Sequence, residues 1–207
     1  MQWNVDGLGF LYRPDVFTGS FDSKIMQERH DEKVLKKLTA LKSAVANENN
    51  PFAAMQLLHK NDHLRFFQNN IEAFRNAGEF EKTVLTLYGK LNAPFGSGGD
   101  AEEWSALFMS CDREALAQLG SPVPFKSATV YRGSVSGFSR SLSWTPNKSR
   151  AEKFAVRWQD PNLGSGDIYE MDIDSSNVLI YIKRSREDEI IMAPEFVKEA
   201  TIRPFTS

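Results

Sequence analysis

The feature that most constrains this chain is a change of rhythm at residues 120–126 (GSPVPFK), where a glycine and two prolines separate two kinds of pattern. Before it, apolar residues recur every three or four positions, the period of an amphipathic helix. After it come short β-branched and aromatic runs broken by turn residues, the texture of strands. That order predicts an α+β protein with a helical N-terminal region over 1–126 and a mostly β unit over 127–207.

Within the first region, helices are expected over about 24–47, 52–60, 62–76, 79–91, 101–110 and 112–119. The first should stop at Asn49, Asn50 and Pro51, because a residue that precedes proline avoids helical geometry. Leu64, Phe67, Ile71 and Phe74 make the clearest apolar stripe. Residues 93–100 (APFGSGGD) read as a loop, with Asp100 as N-cap of the helix that follows. Strands are expected over 129–132, 141–144, 168–173, 178–182, 189–192 and 197–203, with one helix inserted at 148–157.

Composition removes several classes. No apolar run reaches the roughly 20 residues of a membrane span. A lone Cys111 can form neither an internal disulfide nor a cysteine zinc cage. Basic and acidic residues number 25 and 27, so a broad basic footprint for duplex nucleic acid is absent. The first residues, MQWNVDGLGFLYRPD, lack the basic start and apolar middle of a secretory signal, which makes a cytoplasmic location the expectation.

Three pieces of the second region carry chemistry together: VYRG at 130–133, SLSWT at 141–145 followed by AEKFA at 151–155, and EDEIIM at 187–192. In this order, each at or beside an expected strand, they resemble the arginine-serine-glutamate class of mono-ADP-ribosyltransferases, found among toxins and phage enzymes. The resemblance covers roughly 128–207 and leaves the helical region unmatched. It implies an ADP-ribosyltransferase-like split β-sandwich for the second region, against which the helical N-terminal region is expected to pack. The implied activity is that of a glycosyltransferase that cleaves NAD, its co-substrate, at the nicotinamide-ribose bond. No metal is needed.

The resemblance distributes roles residue by residue. Arg132 matches the arginine that contacts the NAD phosphates and ribose; a planar guanidinium fork suits a diphosphate and keeps its charge when partly buried. Gly133 lets a ligand approach the backbone. Ser143 opens the triplet SWT where the family reads serine-threonine-serine, and is assigned to hydrogen-bond and orient the catalytic glutamate. Ser141 is the competing choice. Trp144, in the middle of the triplet, and Phe154 join the cofactor-binding set as aromatics near it, although Phe154 and Ala155 also sit at packing positions of the inserted helix.

Glu187 and Glu189 lie two apart on a strand and project to one face, with Cα atoms ~6.6 Å apart. Glu189, directly before Ile190 and Ile191, matches the glutamate that stabilises the positive charge built on the ribose as its N-glycosidic bond breaks. Glu187 matches the position that serves the acceptor and is a glutamate where arginine is modified. Arginine of a target protein is thus the favoured acceptor, with RNA or DNA bases as the alternative. The implied setting is a toxin, effector or phage-encoded host modifier, with an antitoxin or immunity protein as a further partner. A hypothesis of another class is a catalytically silent NAD-fold module that works by docking.

Other signals point to structure. His59 and His63 have the spacing of a helical metal pair but no third ligand. Glu170, Asp172 and Asp174 alternate as the solvated face of a strand does. FGSGG at 95–99 lacks the lysine of a phosphate-binding loop.

Overall fold

The computed structural model describes residues 3–10, 21–89, 99–134, 137–156, 166–184 and 187–205, with the backbone alone for Arg184 and Glu187. The chain forms two compact units, Met1–Gly98 and Gly99–Ser207. Among the described residues no helix is long and apolar enough to cross a membrane.

The first unit is helical: α1 (Lys24–Asn47), α2 (Pro51–Leu57), α3 (His63–Asn69), α4 (Ile71–Asn76) and α5 (Phe80–Gly89), with a 3-10 turn at Lys60–Asp62. Proline at the first position of α2 needs no N–H there, and the Asn50 side chain caps the helix by accepting from the Ala53 amide at 2.8 Å. The single helix expected over 62–76 is broken at Asn70, whose backbone leaves helical geometry (φ −127, ψ 25). Its amide group donates to the carbonyls of Phe66 and Asn4, both at 2.8 Å, and accepts from the Asn4 amide at 2.9 Å. An asparagine that bonds nearby backbone competes with the helix ladder, and here it also ties down the N-terminal segment.

The break turns the buried face away from the expected stripe. Phe66, Phe67 and Phe74 are buried while Leu64 and Ile71 are half-exposed. Phe74 meets both partners edge-on, with centroids 4.9 Å from Phe67 and 6.3 Å from Phe66. The two spaced histidines have separate duties: buried His63 places Nε2 3.0 Å from the Leu58 carbonyl, and His59 Nδ1 accepts from the Asn61 amide. The end of the 79–91 expectation and the 93–98 loop lie outside the described residues.

The second unit is α+β. Its elements are α6 (Ala101–Met109), α7 (Arg113–Gln118), β1 (Ser127–Ser134), β2 (Ser143–Trp144), α8 (Lys148–Ala155), β3 (Asp167–Asp174), β4 (Val178–Arg184), β5 (Glu187–Met192), α9 (Pro194–Glu199) and β6 (Arg203–Pro204). Asp100 caps α6 in a reciprocal box with Glu103. Two antiparallel three-stranded sheets form, ordered β1-β3-β6 and β2-β5-β4. They join where Tyr131 of β1 and Thr145 exchange backbone hydrogen bonds of 2.7 and 2.9 Å.

Two expectations are corrected. The units divide at Gly98/Gly99 rather than at 126/127, because α6 and α7 belong with the sheets. Just beyond α7 the Ser121 amide bonds the Tyr181 carbonyl of β4 at 2.7 Å, and a Cβ on Gly120 would stand 2.5 Å from Ile180 Cγ1. The strand expected over 197–203 is instead α9 followed by the two-residue β6. Pro194 at the first helical position pre-sets a helix start, and Val197 fills the core from a helix.

Candidate functional site

Arg132, Ser143 and Glu189 come from three strands, β1, β2 and β5, and the structure brings them together. Arg132 sits opposite Tyr169 in the register of β1 with β3, one residue past the Tyr131–Thr145 junction of the sheets. From there its Nη1 donates to the Ser143 carbonyl at 3.0 Å and its Nε to the Phe138 carbonyl at 3.2 Å. Ser143 Oγ in turn donates to Glu189 Oε1 at 2.6 Å, a short hydrogen bond. All three residues are half-buried.

The register explains the meeting. Ser143 is paired with Ile191 and Glu189 with Ile182, so Ser143 and Glu189 are diagonal neighbours on one face of β2-β5-β4. Of the two candidate serines, it is Ser143 that reaches Glu189. Ser141 offers its carbonyl to Trp144 Nε1 at 2.7 Å.

The remaining positions divide. Trp144 is corrected: it is 2% exposed, its ring lies in the core on the opposite face from Ser143, and it offers no surface to a ligand. Alternation along β2 dictates this, since successive residues face opposite ways. Gly133 is explained by packing, because a Cβ there would collide with the Ala151 carbonyl of α8. The missing side chain admits a helix backbone. Phe154 is half-buried on α8, and its described ring contact is the Arg150 guanidinium at 5.1 Å. Glu187 has its backbone in β5 opposite Arg184, and its side chain lies outside the described residues.

Three residues the motif reading passed over frame this region. Asp188, between the two glutamates, faces the other way and accepts the hydrogen bond of buried Tyr181. Burial first, and then the Asp188 charge and hydrogen bond, push that phenol above its ordinary value. Tyr169 donates to the Gly137 carbonyl at 2.9 Å and so helps hold the loop after β1. The period-two rule applied to EDEIIM would have separated Asp188 from its neighbours; the loop contacts leave no mark in the sequence. Among the described residues no cluster of three or more His, Cys, Asp or Glu is arranged for a metal.

Chemically, the arrangement is a half-buried carboxylate with one oxygen fixed by a hydroxyl, whose backbone is in turn held by a guanidinium. Such a group is positioned before any ligand arrives and can meet positive charge that develops beside it. Compared with known proteins, the chain matches no family model, and no curated protein or solved structure resembles it at a significant level.

Proposed function

We propose that the chain is a mono-ADP-ribosyltransferase, which cleaves NAD and passes ADP-ribose to a macromolecule, with arginine of a target protein favoured. The observation that carries this reading is the 2.6 Å bond from Ser143 to Glu189 beside the Arg132 guanidinium. Motifs separated by eleven and forty-six residues have no general reason to converge in this way. Two small antiparallel sheets joined at one bridge are compatible with the split β-sandwich that the resemblance implies.

In this reading Arg132 binds the diphosphate, Ser143 fixes the Glu189 rotamer, and Glu189 stabilises the ribose as positive charge builds on it. The C–N bond to nicotinamide breaks and its electron pair leaves with the ring. The acceptor nitrogen forms the new bond to the same carbon and gives up a proton, for which Glu187 is the candidate base. NAD supplies the ribosyl carbon and the leaving group.

The test is incubation of cell lysate with the protein and NAD labelled in the adenylate, followed by separate nuclease and protease digestion. Label released only by protease is expected. Label released by nuclease would move the acceptor to nucleic acid, and no incorporation with no free nicotinamide would leave a binding module.

A further inference from the structure

Among the described residues Phe138 is the most exposed aromatic side chain, at 44%. An isolated exposed aromatic is ordinary on a loose loop, but this one is held from two sides. Its own carbonyl takes Arg132 Nε at 3.2 Å, and the carbonyl before it, on Gly137, takes the Tyr169 hydroxyl at 2.9 Å. Gly137 has φ +71, a conformation that glycine adopts without strain and that turns the chain sharply just ahead of the ring. Neither clamp uses the ring itself. The backbone is anchored while the ring face stays open, so the ring can meet a flat ligand without the loop being reordered.

The contacts run in a fixed order: Glu189, Ser143, Arg132, Phe138. Arg132 stands between its neighbours, since Nη1 and Nε lie on different edges of the guanidinium. In a dinucleotide with its ribosyl carbon at Glu189 and its diphosphate at Arg132 the second nucleoside lies beyond the diphosphate, and Phe138 is the exposed aromatic residue whose backbone that same guanidinium holds. We propose that Phe138 is the stacking platform for the adenine of the dinucleotide, and so sets the affinity of the site for adenylate-bearing substrates. This rests on the NAD-cleaving reading of the same site. A flat ring on a pinned backbone suits a purine face, because little conformational freedom is lost on stacking.

The experiment compares the full chain with Phe138→Ala and Phe138→Trp in nicotinamide release from NAD, and follows tryptophan fluorescence of Phe138→Trp during titration with AMP and with nicotinamide mononucleotide. Phe138→Ala should raise KM for NAD about tenfold, the loss of one base stack, with kcat and Tm unchanged. Phe138→Trp should restore KM, and its fluorescence should respond to AMP but not to the mononucleotide. A KM equal to wild type in Phe138→Ala, an equal response to both nucleotides, or a fall in Tm would overturn the proposal. Failure of the parent reading looks different: the wild type then releases no nicotinamide. In that case an absent AMP response ends the adenine platform too, and a present one keeps it as a nucleotide site without transfer.

Discussion

Ser143 and Trp144 are neighbours in β2, as Asp188 and Glu189 are in β5, yet the two members of each pair live in different surroundings. On one face of the sheet Trp144, Tyr181 and Ile190 are buried, and the polar atoms among them are answered close by: Trp144 Nε1 by the Ser141 carbonyl, the Tyr181 hydroxyl by Asp188. On the other face Ile180 and Ile191 are buried as well, but Ser143 and Glu189 meet each other in a half-buried setting. Apolar content does not separate the faces. What separates them is whether a carboxylate is used to close a core or is held ready at its edge, and the alternation of a strand is enough to produce both from adjacent residues.

The comparison breaks most sharply at Trp144. Replacing it with alanine removes a large, fully packed side chain, and Trp144→Ala should cost about 3–5 kcal/mol in chemical denaturation. A loss below about 1 kcal/mol would mean that the ring is not core and that Trp144 returns to the ligand-facing set. Glu189→Gln is the counterpart on the other face. Shape and hydrogen-bond acceptance from Ser143 are kept and the charge is removed, so stability should hold while NAD turnover falls about 10²–10³-fold. Turnover equal to wild type would sink the role assigned to Glu189.

A smaller effect separates the two serines. Ser143→Ala leaves the carboxylate in place but unoriented, for which a loss of about 10–100-fold in kcat is expected, as for other groups that position a reacting residue. Ser141 contributes its carbonyl rather than its hydroxyl to Trp144, so Ser141→Ala should leave kcat near wild type. Equal losses in the two variants would erase the distinction drawn from the register.

These contrasts also mark what the sequence makes legible. The strands containing Arg132, Ser143 and Glu189 can be located from short β-branched or aromatic runs, and the one-face relation of residues two apart is a property of any strand. The burial of Trp144 follows from the same rule, applied to the triplet residue by residue. Tertiary contacts are a different matter. Gly133 is needed because the α8 backbone passes against it, Asn70 breaks a helix because Asn4 comes within reach, and α6 and α7 join the sheets through Gly120 and Ser121. Each depends on a partner distant in the chain, for which local pattern carries no signal. Pro194 is an exception: a proline at the first helical position is a local signal for α9.

The smallest expected effect lies on the other sheet, where polar residues are neither core nor site. Asp172 on β3 accepts from the Thr129 hydroxyl at 2.7 Å and from Arg203 at 2.9 Å, and Arg203 also reaches Glu170 at 3.3 Å. The Thr129 hydrogen bond, and after it the Arg203 guanidinium, hold the Asp172 carboxyl below its ordinary value. A carboxyl that is more acidic in the folded state stabilises the fold when ionised. That contribution is present above the unfolded value of about 3.9 and is lost as pH falls through it toward the folded one. The group is exposed, so the effect is small and weakens with salt. Melting curves of wild type and Asp172→Asn should differ at neutral pH and converge in acid, with the gap narrowing again in high salt. A gap independent of pH would show that the Thr129–Asp172–Arg203 contacts do not depend on charge.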